Sequence, residues 1–182
     1  TLRFDLTKNK EFTLSKATKD IISNLDDKVQ ITSFFSDNLP TDIDKTRQDL
    51  KDLLSEYANR SKGKLDYNFI APNEDSKLQD SATAAGIQPV MINVREKDQQ
   101  KQQKAFLGVV VKMAGQQEVI PVIQPGTAME YALTTSIKKL AVKNKPIIGF
   151  IQGHGEAAIQ ELAQAYQSLS ILYNVESVYI SD

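Results

Sequence analysis

At 182 residues, with 41% apolar and 25% charged side chains, the chain is long enough for one complete domain and part of another, and too apolar for a disordered tail. Twenty-two Lys and Arg against 23 Asp and Glu leave a formal charge of −1, which gives nucleic acid or an anionic lipid surface no long-range attraction. There is no cysteine and a single histidine, His154, so disulfides, thiolate nucleophiles and Cys-based zinc sites are excluded, and neither a metal nor a cofactor is expected.

Ser15 is placed to cap a short helix carrying Ala17, Ile21, Ile22 and Leu25, which Asp26-Asp27 ends. Val29 to Phe35 (VQITSFF) is β-branched and aromatic and predicts the first strand, with turn residues Asp37-Asn38-Leu39-Pro40 after it. From Thr41 or Asp42 a long helix sets Ile43, Leu50, Leu53, Leu54, Tyr57 and Ala58 near one face, and Gly63 offers a left-handed stop.

Lys64 to Ile70 alternates as a strand does, a polar helix follows over 76–85, and Val90 to Val94 predicts a third strand. The tract Glu96 to Lys104 (EKDQQKQQK) has no apolar residue and reads as a long, solvated, mobile hairpin loop. Phe106 to Met113 and Glu118 to Ile123 predict two strands joined by a glycine-containing turn. Thr127 and Glu130 match the T-x-x-E capping box of a helix that carries Leu133, Ile137, Leu140 and Ala141 inward and ends by Pro146.

Pro146 to Ile151 (PIIGFI) has the continuous apolar character of a strand buried on both faces. A helix bearing Ile159, Leu162, Ala163, Tyr166 and Leu169 and a strand over Val175 to Ile180 complete one βαβ crossover. The expected class is therefore α/β in two parts. Residues 1–143 are expected to form a thioredoxin-like domain with an N-terminal extension, a mixed sheet and no redox cysteines. Residues 144–182 are expected to begin a Rossmann-like domain. Within the first part, Val90–Val94 should lie antiparallel to Phe106–Met113, and Gln88–Pro89, before a strand, is the position where a cis bond would fall. No stretch approaches the ~20 apolar residues of a membrane span. The chain opens in mid-pattern and stops directly after a strand, as an excised part of a longer polypeptide would.

Several pieces in a fixed order make the chain familiar. They are Arg3-Phe4-Asp5-Leu6-Thr7, Phe12-Thr13-Leu14-Ser15, Asn24-Leu25-Asp26-Asp27 and Gly86-Ile87-Gln88-Pro89-Val90. They continue through Glu118-Val119-Ile120-Pro121, Glu130-Tyr131-Ala132-Leu133 with Ile137-Lys138-Lys139-Leu140, and Pro146-Ile147-Ile148-Gly149-Phe150 before Gly153-His154-Gly155-Glu156. In these the chain resembles the GldG-like family, the auxiliary component of an ABC transport system associated with gliding motility. The resemblance implies a bacterial inner-membrane protein, tethered by helices outside this sequence. Its soluble domains would lie on the periplasmic side and associate with ABC permease and ATPase subunits made by other chains. This chain has no G-x-x-x-x-G-K-[ST] phosphate loop of its own.

The feature most like a site is the turn Gly153, His154, Gly155 and Glu156, where glycines would let backbone amides approach a ligand or partner at a helix N-terminus. A tight strand-to-helix turn needs glycines in any case, and a general base needs an oriented partner that the sequence does not supply. No catalytic residue is therefore assigned. Two readings stand side by side: an interaction subunit of a transporter, with self-association of exposed apolar surface possible, and a small-ligand or carbohydrate-binding or processing module built on Gly153 to Glu156.

Overall fold

The computed structural model describes residues 14–96, 99–143, 147–152, 155, 162–170 and 173–179. In chain order these form α1 (Lys16–Ser23), β1 (Val29–Phe35), α2 (Thr41–Arg60), β2 (Leu65–Ile70), α3 (Ser76–Ala84), β3 (Val90–Glu96) and β4 (Gln99–Ala105). They continue with β5 (Leu107–Met113), β6 (Gln116–Ile120), α4 (Thr127–Lys143), β7 (Ile147–Gln152), α5 (Ala163–Ser170) and β8 (Asn174–Tyr179). The fold is α/β with a mixed central sheet. No helix among the described residues is long and apolar enough to cross a membrane.

The central sheet has the order β2-β1-β5-β6. β1 runs parallel to β2 and antiparallel to β5, which is antiparallel to β6. The parallel pair requires a crossover, and α2 supplies it. This helix buries Leu50, Leu53, Leu54 and Tyr57, and its chain turns back through Lys62 and Gly63, both at positive φ. Odd-numbered residues of β1 and β5, among them Ile31, Phe35, Val109 and Val111, face a large core shared with α1, α2 and α4. Phe34 and Val110 point to the opposite face, into a smaller core with Phe106, Ile87 and Ala82 of α3. Most of β5 is buried on both sides, as its run Leu107-Gly108-Val109-Val110-Val111 requires of a central strand.

Five expectations are corrected. Val90–Val94 does not pair with Phe106–Met113: β3 pairs instead with β4 in a separate two-stranded sheet, from Val90↔Ala105 to Glu96↔Gln99. The polar tract read as a mobile loop is thus largely strand. Only 97–98 at its tip lie outside the described residues. Its partner β3 supplies the alternation that Gln99 to Lys104 lack, since Val90 and Ile92 pack on the main core and Ala105 is buried. Gln88–Pro89 is not cis, because no cis peptide occurs among the described residues.

The capping box at Thr127 does not form. Thr127 is already helical, and Glu130 reaches instead to Ser15, 115 positions away. Lastly, β7 is not buried on both faces. It pairs in parallel with β8 as a two-stranded sheet, giving the expected βαβ unit with α5. Its Ile147 and Ile151 remain 66% and 53% exposed, because no further strand or helix among the described residues lies over that face.

Candidate functional site

In a parallel βαβ unit, ligands and partners meet the chain where the strands end and the helices begin. Here that point is the carboxyl end of β1 and β2. Phe35 closes β1, and Ser36 turns the chain away while remaining 2% exposed. The Ser36 N–H donates to the Phe106 carbonyl, and its hydroxyl oxygen accepts from the Phe106 N–H, both at 2.9 Å. This hydroxyl is therefore committed to holding the start of β5 against the end of β1.

The rest of the turn is similarly tied. The Asp37 N–H donates to Asn73 Oδ1 at 2.8 Å, joining the loop after β1 to the loop after β2. The Asp37 carboxylate meets Arg47 at 3.0 Å. The Arg47 guanidinium lies 5.4 Å from the centre of the Phe69 ring, a cation–π contact. Asn38 takes a positive φ of 55°, which Asn tolerates better than most residues.

Beside this turn, a groove of about 420 Å³ opens between the first turns of α2 and the loop after β6. Phe35, Leu107 and Ile123 form its floor, with Ile43 and Val122 on its sides and Asp42, Lys45 and Asp49 on its rim. Lys45 is engaged with Asp49 at 2.6 Å. The Ile123 N–H donates to the Leu107 carbonyl at 2.8 Å, extending the β5–β6 ladder and fixing the wall of the groove. This arrangement suits the reception of an apolar side chain from a partner. Thr46, also in the lining, donates its hydroxyl to the Asp42 carbonyl at 3.2 Å.

A second polar cluster lies within the main core, where α1, α2 and α4 meet. The Tyr57 hydroxyl is 2.7 Å from Thr134 Oγ1, which is 3.0 Å from Thr18 Oγ1. Thr18 in turn accepts from the Ser15 hydroxyl at 3.0 Å and donates its N–H to Ser15 Oγ at 3.2 Å. Ser15 N–H donates to Glu130 Oε1 at 2.9 Å, so a carboxylate on α4 caps α1. Burial pushes the Tyr57 phenol well above the usual tyrosine range, and its hydroxyl stays protonated as a structural donor. For Glu130, partial burial opposes ionisation, but hydrogen bonds from Thr18 and Ser15, with Lys19 nearby, outweigh it and hold the carboxyl below the usual glutamate range.

The sign of the pH effect follows. A depressed folded-state pKa contributes stability that is present above the unfolded glutamate value and lost as pH falls through the lowered one. Glu130→Gln should cost about 1 kcal/mol or less at pH 7, because the carboxylate is only partly buried and solvent screens it. Urea titrations of both forms, repeated at falling pH, should show the two curves converging below the ordinary glutamate range. A gap that persists at low pH would assign the effect to packing.

Of the turn singled out from sequence, Gly153, His154 and Glu156 lie outside the described residues. Gly155 is exposed at φ +89°, with open space where a side chain would project. Sequence reading did not find the groove, whose walls come from segments about eighty residues apart. It also missed the Tyr57–Thr134–Thr18 cluster, for which the only local signal is a set of hydroxyl residues on otherwise apolar helix faces. No group of three His, Asp or Glu side chains with metal-binding proximity occurs among the described residues.

The family described as Domain of unknown function (DUF7088) matches residues 8–112. The chain belongs to it. The DUF7088 match takes in α1 through nearly all of β5, including the Ser36 turn, and stops short of β6 and α4. An uncharacterized protein of Borreliella burgdorferi is 28% identical over 167 residues, which is 92% of this chain and 32% of that protein. The chain thus spans about a third of the length of this relative. No solved structure matches it.

Proposed function

We propose that this protein is a non-catalytic, membrane-tethered subunit of a bacterial ABC transport complex, which offers its folded domains to partner proteins on the periplasmic side of the inner membrane. The observation that carries this reading is the turn after β1. In the thioredoxin-like arrangement, to which we assign β1–α2–β2 and β5–β6–α4, that turn is the reactive position. Here Ser36 occupies it, buried and doubly bonded to Phe106. The hydroxyl is used to fasten two strands, and the neighbouring apolar groove is suited to contact rather than turnover. The resemblance to GldG-like auxiliary proteins supplies the setting, with permease and ATPase as the partners.

The test is purification of the native protein from membranes, with identification of the chains that accompany it. Removing the segment encoding these domains, while keeping the membrane helices, should abolish assembly of the permease–ATPase complex. His154→Ala or Glu156→Ala should leave assembly intact. If the isolated domains turn over a small molecule or carbohydrate, and His154→Ala abolishes turnover without disturbing folding, the interaction reading fails in favour of the Gly153–Glu156 site.

A further inference from the structure

The sheet face that packs on α3 is covered over only part of its length. The smaller core takes Phe34 and Val110. Toward the amino end of β1, Gln30, Lys112 and Gln117 on the same face stand in register across β1, β5 and β6 and are exposed. With Lys28 and the turn between β5 and β6 they line a groove of about 530 Å³. It lies at the opposite end of β1 from the groove floored by Phe35, Leu107 and Ile123.

We propose that this groove binds an acidic segment of a partner protein in extended form, with carboxylates two residues apart engaging Lys28 and Lys112. Charge complementarity argues for this occupant. The register sets Lys28, two residues before Gln30, diagonal to Lys112 at about 7–8 Å. Neither lysine forms an ion pair among the described residues. No acid lines the groove, and Asp26 and Asp27, just before Lys28, stand outside it. Glu118 of β6 meets Lys139 of α4 at 3.8 Å, and Asp66 stands on β2 beyond Gln30. Two like charges side by side repel, and an anion beside both removes that repulsion. In an extended peptide, side chains at i and i+2 share a face about 7 Å apart, which matches the diagonal. Gln30, Gln116 and Gln117 add amides that can bond carboxylates or peptide backbone. Two lysines fall short of the clusters of about 4–8 that recognise an anionic membrane. No aromatic side chain lines the groove to stack a nucleobase.

The turn beside the lysines adds a steric observation. Ala114 and Gly115, which join β5 to β6, both take positive φ, 49° and 75°. Asn is a preferred first residue of such a turn, because it tolerates that backbone better than Ala. Ala114 lines the groove, so a small side chain stands where a larger one would suit the turn and narrow the groove. Ala114→Asn should therefore raise Tm while weakening binding roughly threefold, and Ala114→Gly should leave binding unchanged. A role in the turn alone would not move stability and binding in opposite directions.

The test is fluorescence anisotropy at low ionic strength, with a labelled Ser-Glu-Ser-Glu-Ser-Glu-Ser peptide added to the full 182-residue chain. Saturable binding is expected, and the same peptide with Gln in place of Glu should not bind. Lys28→Glu and Lys112→Glu should each weaken binding about tenfold or more. Circular dichroism should be unchanged in both, since both lysines are exposed. Lys51→Glu, an equal change of net charge at an exposed position of α2, should stay within about twofold of the parent. No saturable binding of the glutamate peptide, or an equal loss in Lys51→Glu, would overturn the proposal. So would binding of inorganic phosphate or phosphatidylserine vesicles that depends on Lys28 and Lys112 and that the peptide does not compete away. The assay uses this chain alone, so its outcome is independent of the transport complex proposed above.

Discussion

Tyr57→Ala is expected to destabilise the protein by about 3–5 kcal/mol, the range for removing a fully buried aromatic ring. Tyr57 has no exposed surface, lies among Leu50, Leu53, Leu54 and Leu133 in the main core, and carries its hydroxyl to Thr134. The substitution both opens a cavity and strands Thr134 with one partner fewer. Tyr57→Phe separates the two effects: keeping the ring and losing the hydroxyl should cost only about 1–2 kcal/mol. Urea denaturation of the three proteins under one condition provides the measurement. If Tyr57→Phe is as damaging as Tyr57→Ala, the hydroxyl network dominates the packing, and the view of an apolar core with a polar pin is wrong.

Gly108→Val should cost about 3 kcal/mol or more, at the upper end of overpacking effects. Gly108 lies in β5 opposite Phe34 of β1, beside the smaller core. A Cβ there would sit 2.5 Å from Ile87 Cδ1 and 2.8 Å from the backbone oxygen of Pro121. Ile87 is itself fully buried and cannot swing away freely, and the Pro121 oxygen is fixed by the backbone. Valine is a favourable strand residue, so a large loss would be steric and not a matter of propensity. Thermal denaturation of Gly108→Val beside the control Val110→Ala would show it. A near-neutral Gly108→Val would mean that Ile87 and the 119–123 segment can part more readily than their contacts imply.

The elements that could be read from sequence are those whose partners are built into their own pattern. The 3.6-residue spacing from Leu50 to Tyr57 identifies α2, and the β-branched run of β1 and the apolar β5 declare strands in a sheet. β4 was hidden because its polar residues adopt strand geometry only by pairing with β3. Once β4 was missed, β3 and β5 stood next to each other in the count of strands and were paired wrongly. Glu130 misled for a similar reason. Its spacing from Thr127 satisfies a local capping rule, but the amide it serves belongs to Ser15 on another helix. The groove at the end of β1 could not be read because Phe35, Ile43 and Ile123 become neighbours only in the folded sheet.

The order of strands also bears on how the chain is made. β1 is flanked by β2, which follows soon after it, and by β5, which follows much later, while α4 closes the large face later still. During synthesis, β1, α2 and β2 can associate as soon as they emerge. Their apolar face nevertheless remains open until Met129, Leu133 and Ile137 have left the ribosome, and α1 gains its carboxylate cap only when Glu130 arrives. The stretch that matches the family, residues 8–112, therefore ends before the helix that covers its large apolar face. Across that interval the apolar face is open to water, and α4, made late, determines when α1 can lock.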